Sequence, residues 1–370
     1  IPYVNYGSSS LYDALDLVYN KFFEELDNAI EVLSNYVNGN VDAKLMSDYD
    51  CVYGGDVEKW VKFANTLRLR LAIRVSYANP TLAEAQAKKS MENMFGFIES
   101  KAERAELSHN SLEYHHPLHE IAYNFNSGDC RPGATIVAYL NGLNDSRISS
   151  YFTAADDGEY HGVRIGITTS NMSNYQGNKI SNLNINRAST PVVWMTAAES
   201  FFLRAEGALR GWDMGGTAKS FYEQGVRMSF EENNAAGVDD YLADHTSTPG
   251  AFADNVGSDN YTFSSRVTPA WDDNAGFEAQ LERIITQKWI ANYPDGPEGW
   301  SEYRRTGYPE VIPVVRNSSN GTIDTQLQVR RLPYTRDEKI NNASGVASGI
   351  SALGGKDTGG AKLWWDKKSR

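Results

Sequence analysis

The chain has 370 residues, 41% of them apolar, with 47 acidic against 35 basic side chains and a formal net charge of −12. The apolar fraction excludes a disordered chain, and an acidic balance without any Lys/Arg-dense run excludes a phosphate-backbone partner. No stretch approaches the roughly 20 apolar residues of a membrane-spanning helix.

The opening IPYVNYGSSS carries no charged n-region, apolar h-region or initiator Met, so the sequence is expected to begin inside a longer protein. Over 10–37, Leu11, Leu15, Val18, Phe22, Leu26, Ile30, Leu33 and Val37 recur at helical spacing and predict an amphipathic helix stopped by Asn38-Gly39. A turn-rich linker ends in Tyr53-Gly54-Gly55, and Asp56 caps a second helix with Trp60, Ala64, Leu67, Leu71, Val75 and Ala78 on one face. Asn79-Pro80 ends that helix, because the residue before proline avoids helical angles. Thr81 and Glu84 form a capping box for a third helix running to about Gly96.

Helical period fades over 101–190, where Gly, Asn, Ser and Asp punctuate short apolar pieces. A helix across 132–140 and a short strand over 160–167 are expected there. Period returns at Thr196, whose capping box with Glu199 opens TAAESFFLRAEGALRGW; TAKSFYEQGVRMSF supplies a second helix after the break at 213–216. Two helices joined by a short turn over about 34 residues, with small residues at the crossing, is the tetratricopeptide format. The first two helices read as another such unit, and stacked pairs bury a continuous core. Residues 233–275 are again loop, 276–292 helical, and the chain after Gly307 irregular.

Between those last two lies PEGWSEYRRTGYP (297–309), in which Pro297 suits a first helical turn, Gly307 a C-cap, and Pro309 forbids continuation. Trp300, Tyr303 and Arg304 then share one face, Glu302 and Arg305 pair on another, and Arg304 suits an aromatic-stacked or carboxylate-paired clamp. No nucleophile or base lies nearby, so the stretch reads as a capped structural helix.

Catalytic and metal signatures are weak. His115 and His119 stand four apart beside Glu120, but Pro117 breaks the helical register that would align them, and no HExxH order or third ligand follows. Cys51 and Cys130 can pair at most once and lack metal-ligand spacing. The pairs Asp156-Asp157, Asp239-Asp240 and Asp272-Asp273 are formal candidates for glycoside hydrolysis, yet Asp runs in turns are ordinary turn chemistry. Calcium is compatible with Asp-rich loops but no EF-hand spacing indicates it, and no cofactor is expected. GxSxG, SxxK and phosphate-loop spacings are absent, leaving GGKDTGG (354–360) as a turn.

The 21 Tyr, 8 Trp and 14 Phe are conspicuous, and many sit in polar loops. Saccharides stack the C–H faces of their rings on such side chains while Asn, Asp and Arg read hydroxyls. Loops 145–186 and 233–275 offer Tyr151, Phe152, Tyr160, His161, Arg164, Tyr175, Tyr261, Phe263 and Trp271; the ligand-binding candidates are this set without Phe152. The competing reading is that each ring pins its own loop to the core.

The runs ITQKWIANYPDGPEGWSEYRRTGYP (285–309), RRLPYTRDE (330–338) and GGKDTGGAKLWWD (354–366), with helical blocks 52–77 and 192–209, resemble the SusD/RagB family of Bacteroidetes outer-membrane lipoproteins. That resemblance implies a mostly α fold, with tetratricopeptide-like pairs as scaffold and long irregular loops as ligand face. It implies a non-enzymatic, cell-surface protein, lipid-anchored at its amino terminus, that delivers glycans, or peptides in some members, to a SusC-like TonB-dependent transporter. The expected organisation is one SusD-like domain over 1–370 lacking its amino-terminal part, with helical blocks at about 10–97, 191–231 and 276–306 and an irregular tail over 307–370. The signal peptide and lipid-bearing Cys are absent from the sequence, and no family ligand residue maps onto it. Besides glycan capture, a peptide-binding role and a helical glycoside hydrolase stay open.

Overall fold

The computed structural model describes residues 2–368 apart from 6–7, 41, 43, 108–115, 126–129, 168, 187–188, 255–256 and 258. It is mostly helical. The chain order begins with α1 (Leu15–Gly39), α2 (Val57–Val75), α3 (Pro80–Glu92), the short α4 (Pro117–His119), α5 (Ala134–Gly142) and α6 (Ile148–Tyr151). It continues with α7 (Ala197–Leu209), α8 (Ala218–Glu232), α9 (Val238–Leu242), α10 (Phe277–Ala291), α11 (Gly296–Thr306), α12 (Arg336–Asn341) and α13 (Ala343–Ala352). Two short antiparallel pairings accompany them: β1 (Ala105–Leu107) with β4 (Val192–Met195), and β2 (Phe152–Thr153) with β3 (Asn182–Leu183).

The helices stack as neighbours: α1 on α2, α2 on α3, α7 on α8, and α10 against α7. Small residues set the α7–α8 crossing, where a Cβ on Gly225 would stand 2.8 Å from the Phe202 ring. The main core runs through Leu69, Ile73, Tyr139, Phe202, Tyr222, Phe230 and Ile284, uniting the stacked pairs with α5. This is the tetratricopeptide-like scaffold expected from the periodicity.

Several boundaries differ from expectation. α1 starts at Leu15 rather than at residue 10, and Leu11 is exposed; Asp13, ahead of the helix, accepts the Tyr3 and Val4 N–H groups. α3 is capped by Asn79, whose side chain accepts from Leu82 N–H at 3.1 Å with Pro80 in the first turn, so the Thr81–Glu84 box is not used. Thr196 caps α7, but Glu199 turns away to pair with Arg70 rather than completing a box. Residues 160–167 form no strand; Val163 makes one isolated parallel bridge to Gly133.

The tail beyond Gly307 contains α12 and α13, which composition concealed. α13, ASGVASGISA, is capped by Asn342, whose side chain accepts from Gly345 N–H at 3.1 Å, and its glycines admit close neighbours: a Cβ on Gly345 would stand 2.5 Å from the Ser10 carbonyl oxygen, and one on Gly349 2.0 Å from the Tyr334 hydroxyl.

The PEGWSEYRRTGYP segment is α11, capped by Asp295 at its start and by Gly307, at φ 89°, at its end. Trp300 Nε1 donates to the Val329 carbonyl at 2.8 Å, Tyr303 Oη to that of Gln326 at 2.9 Å, and Arg304 Nη1 to that of Arg330 at 2.9 Å. Arg304 lies over the Trp300 ring at 3.6 Å and over Trp365 at 4.8 Å, which makes it the aromatic-stacked clamp. On the opposite face Arg305 pairs with Glu302 at 2.5 Å and Glu206 at 2.6 Å. α11 therefore fastens the carboxy-terminal segment to the helical stack. GGKDTGG belongs to the same clasp: Asp357 accepts from Arg331 at 2.5 Å, and the Gly359 carbonyl from Arg330 N–H at 2.7 Å.

Candidate functional site

The loop layer is assembled on α5 by glycine contacts that no larger residue permits. A Cβ on Gly142 would fall 1.9 Å from the Gly250 nitrogen, and one on Gly162 2.8 Å from the Gly133 carbonyl oxygen. These approaches bring the segment around 160 onto the start of α5 and the segment around 250 onto its end. Asn141 Nδ2 donates to the Tyr160 carbonyl at 3.0 Å, and His161 N–H donates to Ser181 Oγ at 3.0 Å.

A hollow of about 250 Å³ results, lined by Asn141, Tyr160, His161, Tyr175, Phe252 and Asp254 among others. A second, more open hollow of about 530 Å³ shares His161 and Ile180 with it and adds Asp156, Asp157, Asn174 and Lys179. His161 Nε2 and Asp157 Oδ2 lie 2.7 Å apart, and this hydrogen bond holds the Asp157 carboxyl below the usual carboxylate range. Tyr175 Oη donates to Asp254 Oδ1 at 2.8 Å; burial, with that bond to a carboxylate, pushes its hydroxyl up to about 12. Tyr160 is half-buried, its ring resting on the main core with part of its surface facing the hollow. The paired hollows thus offer one aromatic wall and several solvated amide, carboxylate, imidazole and ammonium groups. That is the chemistry of polyol recognition.

Three of the eight predicted ligand residues, Tyr160, His161 and Tyr175, meet here, Tyr175 being buried at 8% exposure with its hydroxyl taken by Asp254. Arg164 and Tyr261 form a clasp of their own. Arg164 donates to the Pro313, Asp259 and Asn260 carbonyls and lies 5.6 Å from the Tyr261 ring, whose hydroxyl donates to Glu310 at 2.7 Å. Tyr261 also faces a separate open groove with Tyr303 and Tyr308.

The other three are core residues, and their ring faces are covered by protein. Tyr151 is 4% exposed, stacks on Tyr293 at 4.7 Å and donates to the Ile290 carbonyl. Phe263, 2% exposed, meets Tyr139 edge to face, and Trp271, 7% exposed, packs on Tyr222 at 5.3 Å. Phe152 is likewise buried. For these the loop-pinning reading is the one the geometry favours. Sequence reasoning missed Asn141, Asp157, Asn174, Lys179 and Asp254 as companions of the site. Only Asp157, four residues before His161, left a local signal.

The remaining acid pairs are engaged in local structure. Asp239 pairs with Arg227 at 2.6 Å, and Asp273 pairs with Lys219 and accepts from Trp271 Nε1, both at 3.0 Å. His119 stacks on Tyr123 at 4.8 Å, while His115 lies outside the described residues. Among the described residues no three His, Cys, Asp or Glu side chains gather as a metal would need. Cys51 and Cys130 are not bonded to each other. No described helix is long and apolar enough to cross a membrane.

The family model described as Susd and RagB outer membrane lipoprotein matches residues 1–366. A chitin-binding SusD homologue from Flavobacterium johnsoniae superposes with a TM-score of 0.94 at 40% identity, covering 100% of this chain and 77% of that one. A SusD homologue from Bacteroides uniformis gives 0.91 at 42%, again over 100% and 77%. A SusD-like protein from Bacteroides thetaiotaomicron gives 0.91 at 40%, with the same coverage. No curated protein sequence matches.

Proposed function

Because this chain belongs to the SusD/RagB family of outer membrane lipoproteins, we propose that it is a cell-surface, lipid-anchored protein that captures oligo- or polysaccharide and passes it to a partner SusC-like TonB-dependent transporter. The observation that carries the reading is the pair of hollows where Tyr160, His161 and Tyr175 meet solvated Asp157, Asn174 and Lys179. The loops supply most of that surface, joined by Val137, Ala138 and Asn141 of α5. The chitin-binding homologue supports a saccharide as ligand. On this reading the protein binds without turnover and without a cofactor or metal.

The test is a glycan array probed with the full-length protein, including chitooligosaccharides, with and without EDTA. Retention of a saccharide class, unchanged by EDTA, supports the reading. Release of new reducing ends, abolished by a single Asp or Glu substitution, contradicts it. Co-purification with a SusC-like transporter tests the delivery step, and failure of the tagged full-length protein to bring one down from its own cells would overturn it.

A further inference from the structure

A cleft away from the hollows above has features the scaffold does not need. It is lined by β4, the end of α8 and the turn after α10, and encloses about 360 Å³. This lies within the roughly 300–1,000 Å³ of small-ligand sites. Trp194, on β4, is 42% exposed in it, an unusual state for the largest apolar side chain. Its backbone carbonyl is fixed by Arg70 Nη2 at 3.0 Å, so the indole stands on an anchored strand.

Two residues lining the same cleft carry buried side-chain atoms without hydrogen-bond partners. Asn292, 7% exposed, has an unpaired Oδ1, and Arg104, whose Nη2 pairs with Glu106, has an unpaired Nε. A buried donor or acceptor without a partner destabilises the fold that holds it. The cleft therefore holds one acceptor short of a donor and one donor short of an acceptor. A hydroxyl group is both. Lys101 and Arg104 are offset by Glu199, Glu232 and Asp295 around the same space, which favours an uncharged ligand.

We propose that this cleft is a second saccharide-binding site, in which a sugar ring stacks on Trp194 while its hydroxyls donate to Asn292 and accept from Arg104. It rests on the glycan-binding reading only for the class of ligand; its residues are separate from those around His161. Glu232, which accepts from Ala197 N–H at 2.9 Å, lines the same wall and can meet a further hydroxyl.

The experiment is calorimetric titration of the full-length protein with N-acetylchitohexaose, cellohexaose and maltohexaose. The wild type is expected to show two sites for at least one of them, Trp194→Ala one site, and Asn292→Ala at least a tenfold weaker second site. The Tyr160→Ala/His161→Ala variant should keep the Trp194 site, seen as sugar protection of its indole from iodide quenching. One site or none in the wild type with all three sugars overturns the proposal. So does a Trp194→Ala protein that folds and keeps both sites. Loss of the His161 site alone in the double variant, with Trp194 protection intact, separates failure of one site from failure of the other.

Discussion

Arg305 and Glu206 form a forked ion pair across 99 residues of chain: Nη1 donates to Oε1 at 2.6 Å and Nη2 to Oε2 at 2.7 Å, with both side chains buried. The pair ties α11 to α7 and belongs to a larger buried network. Lys288 contacts Glu298 at 3.1 Å and Glu302 at 3.5 Å, while Arg74 meets Glu298 at 2.6 Å. The arginine-rich stretch that looks like chemistry is thus the junction between the helical stack and the carboxy-terminal clasp.

Removing one member of such a junction strands the others. Arg305→Ala leaves Glu206 and Glu302 without their main cation and is expected to lower unfolding free energy by about 3–5 kcal/mol. Arg305→Lys keeps the charge but not the planar fork, and should recover part of that loss. Urea titration of both variants measures the difference.

Acid should dissolve the same junction. Burial alone pushes the Glu302 carboxyl up, but Arg305, Lys288 and Arg74 outweigh it and hold it at about 2, against an ordinary 4.5. Glu298 is held well below its usual range by Arg74 and Lys288 against the same burial effect. Carboxyls lowered in the folded state stabilise it above the unfolded value, and that stabilisation is lost as pH falls through the folded one. Stability should therefore decline from about pH 4.5 towards 2, and the Glu302→Gln variant should show a shallower decline in urea midpoint over that range.

Glu232 should act in the opposite sense. Burial pushes its carboxyl up to about 7, despite the N–H of Ala197 favouring the charged form. The folded state then holds a proton that the unfolded state has released, so its contribution is present below pH 4.5 and lost as pH rises through 7. The stability difference between pH 5 and pH 8 should shrink in Glu232→Gln, which thermal melts at the two pH values would register.

The loop layer depends on Gly142. In Gly142→Ala the new methyl would sit 1.9 Å from the Gly250 nitrogen, so the 250 segment must move. The expected cost is about 1–3 kcal/mol of stability, together with weaker glycan binding because Gly250 and Phe252 wall the hollow. Melting temperature and array signal should fall together; an unchanged array signal at a lowered melting temperature would dissociate Gly142 from the site.

The scaffold was legible because helical period and caps agree: Asp56 accepts from Lys59 N–H and Thr196 from Glu199 N–H. α13 was not, because its Gly/Ser-rich sequence resembles a loop, and the close packing of Gly345 and Gly349 on Ser10 and Tyr334 is visible only in the fold. The site was only partly legible. Aromatic composition singled out loops that line the two hollows, but whether a ring faces solvent is decided by tertiary partners: Tyr222 covers Trp271, whereas part of Tyr160 reaches the hollow. Local spacing carries no trace of that choice.

The most direct test of the account is calorimetric titration of the Tyr160→Ala/His161→Ala protein with the glycan retained on the array, beside Trp271→Ala as comparison. The account predicts at least a tenfold loss of affinity at the His161 site, about 1.4 kcal/mol, with an unchanged melting temperature. Trp271→Ala should lose about 3–5 kcal/mol of stability while its folded fraction binds as the wild type does. Unchanged affinity at every site in the double variant, or loss of glycan binding in folded Trp271→Ala, would contradict it.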